Sequence, residues 1–366
     1  MSATPDPDRP NRRRFGLIVS LLTVLIVLVA AEVGLRIYAH HFAPRHRAAR
    51  WLRVGDLPAH ALKYESHPYL CYSLNPDFRT DDGLDRHNSL GFRGEEPTVA
   101  KAPGRFRIVC VGGSSTYDTE IPDWRDAYPV QLERILRETH GRENVEVLNC
   151  GIPGYTSFES LINLEMRVLP LQPDLVVVYH AVNDVHARLV PPEWYRRDNT
   201  GYRHAWTERQ YWWDHSMLLH IIGVQAGFSQ RNRLRDWVLT LDDRPPADVR
   251  AEWLAANPPT HFRRNLVAMH ALAGSAGART VFLSWAFSGK MDDYASDPSY
   301  QQGFREHNDV IREVALATGS PFFDLASQLP DDPELWDDGR HSNAAGALRK
   351  AELVADFLHR EVLETP

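Results

Sequence analysis

FRIVCVGGSST, residues 106–116, is the stretch from which the fold can be read. Its first seven residues, FRIVCVG, are apolar apart from Arg107 and rich in valine and isoleucine. A run with no polar alternation suits a strand covered on both faces, as in a parallel sheet. The pattern recurs along the chain as VEVLNC (145–150), LVVVYHA (175–181), TVFLSW (280–285) and a shorter run at 321–325. Helical patterns lie between them at 128–139, 157–169, 261–273, 304–317 and 344–361. Strand alternating with helix predicts an α/β fold, a three-layer α/β/α sandwich around a mainly parallel, flavodoxin-like sheet with right-handed crossovers.

Composition removes several function classes. Of 366 residues, 43% are hydrophobic and 24% charged, an ordinary globular balance. The net charge of -7 gives no basic face for nucleic acid. Three cysteines, an odd number without C-x-x-C spacing, supply neither a disulfide framework nor a thiolate zinc site. Cys110 and Cys150 fall in or beside neighbouring predicted strands and read as buried packing residues. Among the 17 histidines, His180, His186, His204, His215 and His220 show no carboxylate-supported helix motif. No metal and no cofactor are expected.

The N-terminus is of another kind. FGLIVSLLTVLIVLVAA, residues 15–31, carries no charge and is apolar on every face, unlike a core helix. Its 17 residues rise ~25 Å as a helix, and continuation to Tyr38 gives enough length to cross a bilayer. The expected organisation is a tail (1–14), a transmembrane signal anchor (15–38), a neck and lead-in (39–104) and a main domain (105–362). A secretory signal cleaved after Val29-Ala30-Ala31 is the alternative, and Arg12-Arg13 faintly resembles a twin-arginine signal. Arg9 and Arg12 to Arg14 precede the span, whereas Arg36, Arg45, Arg47, Arg50 and Arg53 follow it, so the positive-inside rule selects no side. Residues 187–257 interrupt the strand–helix alternation with Trp194, Tyr195, Tyr202, Trp206, Tyr211, Trp212 and Trp213. They read as a cap insertion whose aromatics build a small core of their own, in preference to a platform for sugar or acyl groups.

In an open α/β sheet, ligands bind at the carboxyl ends of the strands. There the chain places Gly112-Gly113-Ser114-Ser115, then Asn149-Cys150-Gly151, then Ala181-Val182-Asn183-Asp184, and before the last helix Asp338-Gly339-Arg340-His341. Each block alone is explained by a turn or a helix cap. Together they supply a nucleophile, a base, a group to orient the base and oxyanion donors, the requirements of acyl transfer.

In these four blocks the sequence resembles the SGNH, or GDSL-like, hydrolase superfamily, through Ser114, Gly151, Asn183 and His341 over about residues 105–362. The lead-in Asn88-Ser89-Leu90-Gly91-Phe92-Arg93-Gly94 resembles that of membrane-anchored bacterial members. The resemblance implies a serine esterase with Ser114 as nucleophile, His341 as base and Asp338 as its orienting acid. The oxyanion donors would be the N–H groups of Ser114 and Gly151 and the Asn183 amide. It also implies an extracytoplasmic catalytic domain on a single-pass anchor. Gly113 stands where the name-giving motif has Asp. Ala181 replaces the usual Gly and is expected to crowd the oxyanion region. Ser115 is the rival nucleophile. The expected partners are the membrane and an acyl ester, with acylated glycans or lipids as the candidates. Two other readings stay open: an O-acyltransferase acting on an extracytoplasmic glycan, and a non-catalytic glycan-binding module.

Overall fold

A computed structural model describes residues 9–42, 62–198, 211–229, 245–291 and 294–363. These form two compact units. The larger contains the described residues of 63–206 and 234–366, and the smaller those of 1–62 and 207–233.

The larger unit begins with an antiparallel hairpin, β1 (Tyr64–His67) and β2 (Cys71–Leu74). Five further strands follow: β3 (Phe106–Gly112), β4 (Val145–Asn149), β5 (Leu175–Tyr179), β6 (Arg279–Leu283) and β7 (Phe322–Phe323). They form one parallel sheet in the order β4-β3-β5-β6-β7, the doubly wound, flavodoxin-like order. From β3 the chain winds to one side through β4 and then to the other through β5. The switch point therefore lies between β3 and β5, where a crevice opens at the strands' carboxyl ends.

Alternating residues of β3 feed two separate cores. Ile108 and Cys110 face the helices Tyr128–Glu138 and Ala344–Phe357, packing with Leu132, Leu136, Ala351 and Val354. Val109 and Val111 face the helices Thr260–Ser275 and Pro298–Thr318, packing with Leu266, Met269, Ile311 and Val314. Cys110 and Cys150 thus lie in opposite layers as buried free thiols, and burial pushes Cys110 up to about 12.

Two helices depart from the expected ranges. The pattern at 157–169 is an α-helix only over Ser157–Asn163. It widens into a π turn at Leu164–Val168 and ends in a 3₁₀ turn containing Pro170, which has no N–H to continue the ladder. The helix expected from 304 starts earlier, at Pro298, because the Asp297 carboxylate accepts from Ser299 N (2.9 Å) and caps it.

The smaller unit contains the helix Arg9–His41, the 3₁₀ turn Trp212–His215 and the helix Met217–Gln225. Arg14–Ala39 is long and apolar enough to cross a membrane, and none of it is buried. The expected cap is divided between the two units. Trp194 and Tyr195 pack in the larger one, against the cluster of Tyr64, Tyr72 and Tyr155. Tyr211 and Trp213 stack in the smaller one at a centroid distance of 4.6 Å. Tyr202, His204 and Trp206 lie outside the described residues, as do the first eight residues and Arg45, Arg47, Arg50 and Arg53.

Candidate active site

β3 delivers Ser114 through a turn that only glycine permits. A Cβ on Gly112 would sit 1.9 Å from Thr116 Oγ1 and 2.5 Å from Tyr179 O. A Cβ on Gly113 would sit 2.7 Å from Asn183 Nδ2. Ser114 opens the short helix Ser114–Tyr117, so its N–H has no acceptor one turn back.

The loop before the last helix brings the remaining groups. His341 Nε2 lies 2.8 Å from Ser114 Oγ, and His341 Nδ1 lies 2.9 Å from Asp338 Oδ2. The same carboxylate accepts through Oδ1 from the backbone N–H groups of Arg340 (2.7 Å) and His341 (2.8 Å), and through Oδ2 from Arg340 Nη2 (3.0 Å). Burial alone would raise the Asp338 pKa. The hydrogen bond and charge of His341, with the Arg340 guanidinium, outweigh it and hold the carboxyl well below the usual carboxylate range. Ser115 Oγ points elsewhere and donates to Arg340 O (3.0 Å). Asn343 caps the last helix, accepting from Gly346 N (3.1 Å), and fixes where the His341 loop ends.

The three expected oxyanion donors fare differently. Asn183 Nδ2 donates to Tyr155 O (2.8 Å), which orients the amide above Gly113 and leaves its second N–H for another acceptor. Gly151 N–H is engaged with Asn149 Oδ1 (3.1 Å). The glycine itself is required by contact, because a Cβ there would fall 2.4 Å from Tyr117 N. Gly151 thus lets the end of β4 close against the Ser114 turn. Ala181 causes no strain. Its φ of -170° is extended backbone open to any residue, and its methyl is buried beside the site.

Several residues around the site were given no part in it by the sequence reading. Lys350, 1% exposed, donates to Ser115 O (2.8 Å), Asp118 Oδ1 (2.9 Å) and Ser342 Oγ (3.4 Å), binding the last helix to the Ser114 turn. Asp118, at φ +60°, closes that turn by donating its N–H to Ser114 O (2.7 Å). Arg93, from the lead-in, is buried and donates to the carbonyls of Tyr117 (2.9 Å), Asp118 (2.8 Å) and Ile121 (2.6 Å) and to Asp85 Oδ1 (2.7 Å). The lead-in is thus a clamp on the backbone that carries Ser114. His180 lines the pocket beside Ser114. Burial pushes it down to about 3, and among the described residues its Nε2 has no hydrogen-bond partner. Among the described residues no group of three histidine, cysteine, aspartate or glutamate side chains is arranged to hold a metal.

Residues 110–349 match the family model of the GDSL-like lipase/acylhydrolase family, and the chain belongs to that family. It is similar to the crystal structure of a lipase/acylhydrolase from Enterococcus faecalis, with 20% identity, 69% of this chain and 95% of that chain covered, and a TM-score of 0.44. A GDSL-like lipase from Bacteroides thetaiotaomicron is 17% identical, with 70% and 89% covered and a TM-score of 0.40. The acetyl xylan esterase AlAXEase is 15% identical, with 69% and 98% covered and a TM-score of 0.41. A comparison with curated proteins finds no match.

Proposed function

We propose that this chain is a serine esterase that removes acyl groups, acetyl among them, from a glycan or lipid ester. The observation that carries the proposal is the unbroken relay from Ser114 Oγ through both nitrogens of His341 to Asp338. His341 Nε2 takes the Ser114 proton as Oγ attacks the ester carbonyl, and Asp338 stabilises the imidazolium that forms. The oxyanion is met by Ser114 N–H and the Asn183 amide. His341 returns the proton to the departing alcohol oxygen, leaving an acyl-enzyme and a free hydroxyl. Water, deprotonated by His341, then attacks the acyl carbon and releases the carboxylic acid and Ser114.

A small cavity beside Ser114 is lined by His180, Asn183 and Trp285. The resemblance to anchored bacterial members supports a single-pass helix over 15–38 with the catalytic residues outside the cytoplasm.

The test is treatment of the full chain in detergent with a fluorophosphonate, followed by mapping of the adduct. Modification of Ser114 is expected. An unmodified chain would instead favour a binding module with an idle triad. An O-acyltransferase would share every step up to the acyl-enzyme and pass the acyl group to a glycan hydroxyl. Acetylated glycan, appearing at the expense of acetate when polysaccharide is added, would replace the esterase reading with that one.

A further inference from the structure

Residues 211–229, YWWDHSMLLHIIGVQAGFS, are built inside out. Their polar side chains turn toward one another. Asp214 Oδ1 accepts from Ser229 Oγ (2.7 Å) and lies 2.9 Å from His220 Nδ1, while Asp214 Oδ2 accepts from Tyr211 N (2.9 Å). Trp213 Nε1 donates to Ser229 Oγ (3.0 Å). Trp212, Leu219, Ile222 and Phe228 face outward instead, with Trp212 77% and Phe228 73% exposed. An open concavity of about 440 Å³ lies among Leu219, Ile222, Phe228 and the rings of Tyr211 and Trp213. The segment contains no lysine or arginine. The polar cluster is not a second hydrolytic centre, because Ser229 donates to the carboxylate and not to the imidazole.

This segment is fastened to the N-terminal helix around Glu32. The Glu32 carboxylate accepts from Ser216 Oγ (2.9 Å) and from the N–H groups of Met217 (3.0 Å) and Leu218 (2.9 Å), closing the N-terminus of the helix Met217–Gln225. Arg36 Nε donates to Glu32 (2.7 Å) and Arg36 Nη2 to His215 O (2.9 Å). Met217 is buried against Leu35 and Ala39. Glu32 follows Arg14 by about 18 residues, a helical rise of ~27 Å, close to the ~30 Å hydrocarbon thickness of a bilayer. With Arg14 at one boundary, Glu32 and the helix it caps stand at the other.

We propose that residues 211–229 form a second membrane-contacting element, which seats Trp212, Leu219, Ile222 and Phe228 in lipid at the boundary where the anchor leaves the bilayer. Tryptophan belongs at that depth, and a short apolar helix whose Asp214, Ser229 and Trp213 side chains bond one another can lie there with its apolar side chains in lipid. The inference rests on the anchor reading of residues 15–38.

The test uses the full chain reconstituted in phosphatidylcholine vesicles containing a phosphatidylcholine with a diazirine on its acyl chain. After irradiation and chymotryptic digestion, lipid adducts are mapped. Adducts in both 14–39 and 211–229 are expected. Those in 211–229 should fall to background in Leu219→Ser/Ile222→Ser/Phe228→Ser, with those in 14–39 unchanged. Adducts confined to 14–39 overturn the proposal and leave the anchor standing. Adducts in neither segment overturn the anchor and the proposal together.

Discussion

Replacing Lys350 with methionine should destabilise the larger unit by about 3–5 kcal/mol, the usual cost of removing one partner from a buried ion pair. The ammonium is 1% exposed and Asp118 is 2% exposed. Lys350→Met leaves the Asp118 carboxylate buried with the Tyr128 N–H (2.6 Å) as its remaining donor, and it strips Ser115 O of a donor. Methionine matches the aliphatic stem, so lost packing contributes little. Asp118→Asn alone should cost a similar amount by stranding the ammonium. The double variant replaces the pair with two neutral groups and should lie at least about 2 kcal/mol below the sum of the single losses. Urea unfolding of the full chain in detergent, measured for all four proteins, gives the cycle. A Lys350→Met loss below about 1 kcal/mol, or strict additivity, would refute the view that this pair holds the last helix to the Ser114 turn.

Asp338→Asn keeps an oxygen for the Arg340 and His341 N–H groups but removes the charge that holds the imidazole. kcat/KM for an acetyl ester should fall about 10³–10⁴-fold, and a loss under tenfold would contradict the role given to Asp338. Asn183→Ala should lower kcat about 10²–10³-fold with little change in KM, and an unchanged kcat would remove Asn183 from the oxyanion site. His87, His180 and His307 are each pushed down to about 3, chiefly by burial, so the native state holds them neutral. Below ~6.5 the unfolded chain protonates all three while the native state does not until about pH 3. Stability should therefore fall as pH drops through that window, approaching about 1.4 kcal/mol per pH unit for each histidine. Urea midpoints measured between pH 7 and pH 5 check this, and a flat profile would contradict it.

The parts legible from sequence were those written in short-range pattern. Unbroken apolar runs marked the five parallel strands, and the residues at their ends converge on Ser114 because a doubly wound sheet gathers those ends. Lys350 escaped notice because a lone lysine reads as a solvated face. Its spacing from Ala347 and Val354, both buried in the same helix, was the available signal that it lies on the inner stripe. Asp297-Pro298 likewise carried an N-cap signature that periodicity alone passed over. Other features had no local trace. Arg93 reaches the carbonyls of Tyr117 and Asp118 from some two dozen residues away, and Glu32 caps a helix that begins at Met217. Gly151 was legible as a required glycine, but whether it serves a turn, a contact or an oxyanion depends on where Asn149 and Tyr117 lie in space.

The central claim is that Ser114 is the nucleophile, and hydrolysis of p-nitrophenyl acetate by the full chain, Ser114→Ala and Ser115→Ala tests it most directly. Ser114→Ala should lose at least about 10⁴-fold in kcat. Ser115→Ala, which gives up one hydrogen bond to Arg340 O, should stay within about tenfold of the parent. Equal rates in all three proteins, or a loss confined to Ser115→Ala, would contradict the account.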